Sequence, residues 1–166
     1  RRAVVVGYGP VGRTVARLLA SNGFSPMVVD LNLTTVKELR GRNLPVVYGD
    51  ASHSEILRQA GVATSDILIL SSSSIRGGKE VIREARTLNP KIRILARTTY
   101  LREVAELKAA GADAVFAGEG EVALSITEFI LSAFGATAEQ IDRERERVHA
   151  KLFGDRSQNS DDLPPA

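Results

Sequence analysis

One stretch, VVVGYGPVGRTVARLLASNGFSPMVVD from Val4 to Asp30, narrows the possible folds of this chain more than any other. An apolar run meets a glycine turn, an amphipathic stretch follows, and a second apolar run ends on an acid. Gly7, Gly9 and Gly12 form G-x-G-x-x-G. The first glycine permits a tight turn out of a strand, the second lets backbone approach a pyrophosphate with no Cβ in the way, and the third allows a helix to pack closely on the strand. The amides that open the helix then face an anion, which the helix dipole favours. Pro10 donates no hydrogen bond, but it stiffens the loop and suits a helix start. Asp30 comes 18 residues after Gly12, at the end of the next strand. A carboxylate there accepts both ribose hydroxyls of an adenosine and repels a 2′-phosphate. No arginine follows directly, only Leu31, Asn32 and Leu33. The pattern therefore favours NAD(H) or a plain adenine nucleotide (AMP, ADP or ATP) and disfavours NADP.

Beyond this stretch, strand-like and helix-like segments alternate. Strands are expected at Ala3–Val6, Met27–Val29, Pro45–Tyr48, Ile67–Leu70, Ile92–Ala96 and Ala114–Phe116. Helices are expected at Val11–Ala20, Thr34–Arg40, Lys79–Leu88, Leu101–Ala110 and Val122–Phe134. One more helix is expected after the third strand, with Ser52 as its cap, Glu55 at the capping-box position and Gly61 as its stop. Short turns between alternating elements imply parallel βαβ units. The predicted fold is α/β, a Rossmann-like doubly wound parallel six-stranded sheet with helices on both faces. It occupies residues 1–135 of the 166, about one domain by length. Residues 136–154 read as a charged helix with Ile141, Val148 and Leu152 at helical spacing, either crossing over to a partner or folding back. The polar, proline-containing residues 155–166 read as a disordered tail.

Little chain is left for a catalytic domain, and the residues offer no catalytic set. None of Tyr8, Tyr48 and Tyr100 is followed by lysine at the Tyr-x-x-x-Lys spacing, and no Gly-x-Ser-x-Gly elbow appears. His53 opens a helix and His149 lies in the charged C-terminal segment; no cluster has metal-ligand spacing. The chain has no cysteine, which excludes disulfides and thiolate chemistry. A net charge of +2 gives no footprint for nucleic acid, and no apolar run is long enough to span a bilayer. The opening RRAVVV, with strand residues from position 3 and no initiator Met, reads as a fragment cut close to a domain boundary. A glycine loop without catalytic groups points to a sensor rather than an enzyme, since a sensor needs only different affinities in two states and a coupled output.

Several motifs together resemble the KTN domain, the N-lobe of RCK domains. They are VVVGYGPVGRTVARLL, VVD, VVYGDAS with LRQAGV, ILARTTY, and LKAAGADAVFAGEGEVA. The resemblance runs from about Val4 to Phe153, and the charged helix at its end is most similar to the C-terminal cytosolic domain of Kef-type cation:proton antiporters. It implies a regulatory domain at the cytoplasmic face of the cell membrane, joined to a membrane-embedded antiporter domain and gating potassium or another monovalent cation. A stand-alone Trk- or Ktr-type uptake subunit and a small NAD-dependent oxidoreductase are the alternatives. By the resemblance, Gly7, Tyr8, Gly9, Pro10, Val11 and Gly12 wrap the phosphates. Asp30 takes the ribose, with Leu31 beside the adenine, and Asp50 and Ala51 meet the adenine edge. Ser71, Ser72 and Ser73 line the distal half of the ligand; Arg97 faces the phosphates or a partner; Glu119 matches an acid near the dimer contact.

A homodimer is expected from the residues as well. In VALSITEFILSAF, the residues Val122, Ile126, Phe129, Ile130, Ala133 and Phe134 crowd much of one helix's circumference. A helix apolar nearly all round needs partners on more than one side.

Overall fold

Val4, Val5 and Val6 are β-branched, apolar and buried, and they sit at the centre of a fully parallel sheet. The structure, a computed structural model, describes residues 1–72 and 77–154. The strands are β1 (Arg2–Val6), β2 (Ser25–Asp30), β3 (Val46–Tyr48), β4 (Ile67–Leu70), β5 (Arg93–Thr98) and β6 (Ala114–Ala117). Their order is β3-β2-β1-β4-β5-β6, so the direction of winding reverses beside β1. The helices are α1 (Pro10–Ser21), α2 (Leu33–Gly41), α3 (Ser54–Gln59), α4 (Gly78–Leu88), α5 (Val104–Ala109), α6 (Gly118–Ala133) and α7 (Ala138–Phe153). The Rossmann-like topology expected from the alternation is present. The reversal opens a crevice at the carboxyl ends of β1 and β4, where ligands bind in sheets of this kind.

The two faces of the sheet are covered unequally. One in-register row, Val29, Val6, Leu70, Ala96 and Val115, is buried from one strand to the next. It joins the main core with Leu57, Val81, Ile82 and Val104 of α3, α4 and α5. The opposite row, Val28, Val5 and Ile69, is buried, but Leu95 and Ala114 beyond it are only half-buried. Phe116 on the edge strand β6 is exposed. Right-handed crossovers explain the asymmetry, because winding from β1 towards β3 puts α1 and α2 on one face and winding from β4 towards β6 puts the later helices on the other.

Helix ends depart from expectation in instructive ways. Ser52 does not cap α3; His53 is the N-cap residue, with no side-chain hydrogen bond, and the helix opens at Ser54. The Ser52 amide instead donates to Asp50 Oδ1 at 2.9 Å, an Asx turn that uses up the bend before the helix can start. Asn32 caps α2 by accepting from the amides of Thr34 and Thr35. The segment Leu101–Ala110 divides into a 3₁₀ turn at Leu101–Glu103 and the short α5. Helix α6 begins four residues before the expected Val122, at Gly118. Gly120 in this added turn is buried under Phe153, where a Cβ would collide with the ring.

Thr137 and Gln140 form a reciprocal capping box, and α7 then folds back along α6. Arg145 pairs with Glu128 at 3.0 Å, and Phe153 reaches the core beside Leu101. Of the two placements open to this helix, the single chain adopts the fold-back. The tail 155–166 lies outside the described residues.

Candidate nucleotide-binding cleft

Gly7 leaves β1 with φ +90°, a conformation that side chains resist, and its amide still donates to the Val29 carbonyl at 2.8 Å. The chain turns, and α1 starts at Pro10 with Gly9 as its N-cap and no side-chain cap. The first-turn amides of Val11 and Gly12 thus remain open to an anion. A Cβ at Gly9 would meet nothing within 4 Å, so the space in front of the loop is clear. A Cβ at Gly12 would overlap the Gly7 carbonyl and come within 2.7 Å of Ser71 Oγ. The three glycines thus differ: Gly7 takes a positive φ, Gly12 has no room for a Cβ, and Gly9 leaves open space before the loop.

The cleft at the sheet's switch point encloses about 590 Å³. Gly7, Tyr8, Gly9, Pro10, Val11 and Gly12 form one wall, Asp30 and Leu31 the next, and Asp50 and Ala51 the far end. Ser71, Ser72 and Arg97 close it on the β4–β5 side. Thirteen of the fifteen residues singled out in the sequence are therefore brought to one cavity. Glu119 is not: it is exposed at the start of α6, and its carboxylate accepts the Leu101 amide at 2.9 Å, fixing the turn before α5. Ser73 lies outside the described residues.

Asp30 is held rather than dangling. Its Oδ2 accepts the Tyr8 amide and its Oδ1 the Asn32 amide, both at 2.7 Å. Each carboxylate oxygen retains a lone pair, so a ribose diol can be accepted without breaking either bond. Arg97 donates to the Ser71 carbonyl at 3.4 Å, a long bond that leaves most of its fork available to phosphate oxygens. Beyond Arg97 lies a second cavity of about 210 Å³, which shares Ser72 and Arg97 with the first and is lined further by Lys79, Glu80, Thr98 and Glu103. The residues present suit an adenine nucleotide: backbone amides and a guanidinium for phosphate, a carboxylate for ribose, and apolar Leu31 and Ala51 for a base.

Four lining residues were not among those singled out: Val6 and Val29, the buried ends of strands already expected there, and Asn32 and Gly49. Asn32 lines the cavity while its side chain caps α2, and Gly49 follows β3 with a Cβ position already filled by Ile56. The Asn-x-Thr-Thr cap signal was available for the first. Nothing local marks the second, since only the tertiary approach of α3 imposes it. Catalytic alternatives lie elsewhere: His53 and His149 are exposed, and His149 stacks on Phe153 at 4.6 Å. Among the described residues no group of three or more His, Cys, Asp or Glu could hold a metal ion. Nor is any helix among them long and apolar enough to cross a membrane.

Comparison with known proteins bears on the fold and the family. Residues 3–118 match the model of the TrkA-N domain family. The chain is 36% identical to the crystallised TrkA-N domain of the inner membrane protein YbaL from Escherichia coli, covering 77% of this chain and 95% of that one with a TM-score of 0.71. It is 29% identical over 152 residues to the glutathione-regulated potassium-efflux system protein KefC of Cronobacter sakazakii, covering 92% of this chain and 24% of that protein. The fold is shared with the Shewanella denitrificans Kef CTD in its AMP-bound form, at 21% identity, a TM-score of 0.71 and coverage of 92% and 96%. The chain spans about a quarter of the length of the curated relatives it matches.

Proposed function

The chain belongs to the TrkA-N domain family, and from that premise we propose that it is a nucleotide-sensing regulatory domain that gates potassium, or another monovalent cation, in exchange for protons. Residues 1–135 bind the nucleotide and 136–154 belong to the part that passes its effect on. The domain works at the cytoplasmic face of the cell membrane, joined to a membrane-embedded antiporter domain, and it is not an enzyme. One observation carries the reading: an uncapped helix start, a ribose-ready carboxylate and a half-free arginine share a single cleft.

The ligand is NAD(H) or an adenine mononucleotide. Its phosphates lie on the loop from Gly7 to Gly12 and reach Arg97, its ribose lies on Asp30, and its base lies between Leu31 and the Asp50–Ala51 turn. AMP in the related Kef CTD supports this choice of ligand class. NADP is disfavoured by charge, since Asp30 would face its 2′-phosphate.

Two copies associate. The exposed stripe Val122, Ile126 and Phe129 on α6 and Phe134 just after it, together with Phe116 on the thinly covered sheet face, supports a homodimer. Dimerisation brings two nucleotide clefts into one assembly, so that occupancy of either biases its shape.

Thermal unfolding against NAD, NADH, NADP, AMP, ADP and ATP tests the reading. A ligand at 100 times its Kd adds about 2.7 kcal/mol, which raises Tm by roughly 5–10 °C in a domain of this size. Adenine nucleotides are expected to give that rise, NADP little, and the Asp30→Ala chain none. No rise with any of them would remove the nucleotide mechanism. Steady NADH consumption with any substrate of a dehydrogenase panel would restore the enzymatic alternative.

A further inference from the structure

Ser71 was singled out as a residue that touches the ligand, but its hydroxyl is turned the other way. Its side chain is buried, the residue being 4% exposed, and Oγ lies 2.8 Å from the Gly7 carbonyl and 3.0 Å from the Val6 carbonyl. The Val6 carbonyl already accepts the Ser71 amide at 3.0 Å. The Gly7 carbonyl takes its hydrogen bond from the Ser71 hydroxyl. A half-buried carbonyl that loses its partner is poorly solvated, so this bond holds the direction of the Gly7 peptide. The same Oγ fills the space beside Gly12, where a Cβ would approach within 2.7 Å. It is therefore wedged between the first and third glycines.

On the other side, Asp30 Oδ2 holds the Tyr8 amide. The loop is thus pinned from both strands that flank β1: by β2 through Asp30, and by the residue after β4 through Ser71. The two pins differ in kind. Asp30 is shared with the ribose, whereas Ser71 commits its single hydroxyl proton to the loop itself.

We propose that Ser71 is a positioning residue for the phosphate half of the ligand, acting through Gly7 to hold the amides of Val11 and Gly12 in their anion-binding orientation. This rests on the nucleotide reading above and deepens it. Removing the hydroxyl frees the loop, which weakens whatever the loop amides hold and leaves the nucleoside contacts alone.

The test compares Ser71→Ala and Ser71→Cys with the parent chain. Cysteine fills the site with a somewhat larger atom but donates weakly, so it stands in if the space that alanine leaves costs too much folded protein. Calorimetry is expected to show AMP affinity reduced about tenfold in both variants, the effect of about one well-made hydrogen bond, with adenosine affinity changed less than about twofold. Amide hydrogen exchange on the unliganded chain is expected to quicken from Gly7 to Gly12 while β2 and β5 stay unchanged. Equal losses for AMP and adenosine would overturn the proposal. So would unchanged loop exchange with AMP binding reduced, since that pattern belongs to a hydroxyl touching the ligand directly. A parent chain that binds neither AMP nor adenosine would instead sink the nucleotide reading, and this one with it, whatever the exchange shows.

Discussion

At the scale of single residues, the three glycines separate stability from binding. Gly12 has no room for a methyl group, because its Cβ would overlap a backbone carbonyl that cannot rotate away. Gly9 has open space in front of it. Gly12→Ala is therefore expected to cost about 2–4 kcal/mol in urea unfolding, as overpacking against backbone does. Gly9→Ala is expected to leave the urea midpoint within about 0.5 kcal/mol of the parent, yet to abolish the thermal rise with AMP by placing a methyl where phosphate belongs. If both variants behave alike, the phosphate does not lie against Gly9. Asp30→Asn adds a control to Asp30→Ala. It keeps an acceptor for the Tyr8 amide but weakens the pairing with a ribose diol, so it is expected to lower affinity while disturbing the loop less.

At the scale of elements, the two ends of the sheet are fastened differently. Arg86 of α4 donates to the carbonyls of Gly111, Pro90 and Ile92 and pairs with Asp113 at 2.7 Å. Asp113 in turn accepts the Ile94 amide. One guanidinium thereby ties α4 to the starts of β5 and β6. Its value lies in the three carbonyls rather than the ion pair, since Asp113 is nearly half exposed and its charge is screened. Arg86→Lys loses the planar fork and is expected to lower stability by about 1–3 kcal/mol, with nucleotide affinity unchanged because the cleft is at the opposite end of the strands. At α6 and α7 the fastening is lighter: Phe153 over Gly120 and the exposed Arg145–Glu128 pair at 3.0 Å. Gly120→Ala pushes that ring aside. Because a flexible side chain can move, the expected cost is only about 1 kcal/mol, accompanied by faster exchange along α7. A large loss of global stability in this variant would mean that α7 is part of the core rather than an appendage.

At the scale of the whole molecule, the uneven cover of the sheet and the apolar stripe of α6 make one prediction. Phe129 is 75% exposed on a helix whose inner side is already packed, and Phe134, which caps that helix, is 87% exposed. Large apolar surface left in water is unfavourable by about 25 cal/mol per Å². Sedimentation of the parent chain is expected to give a dimer, and Ile126→Asp with Phe129→Glu a folded monomer that still binds nucleotide. A parent chain that sediments as a monomer at every concentration would remove the homodimer from the proposal.

The order of strands and helices, the glycine loop and its acid were legible in the sequence because each is a local consequence of local residues. Alternating β-branched runs make buried parallel strands, glycine spacing sets the turn, and a carboxylate at a strand end lies at the sheet's edge wherever that sheet folds. Family resemblance extended the reading from Asp30 to Asp50 and Arg97, which the parallel register brings to the same edge. Three things were decided only by tertiary structure. Glu119 was matched in sequence to an acid near a dimer contact, and the early start of α6 at Gly118 turns its carboxylate to the Leu101 amide. Gly120 could be helical because Phe153, more than thirty residues later, covers it. Ser71 was read as lining the distal half of the ligand, and only the approach of β4 to β1 turns its hydroxyl onto Gly7. In each case the deciding partner is distant in the chain, and a hydrogen bond or packing contact made across the fold leaves no periodicity behind.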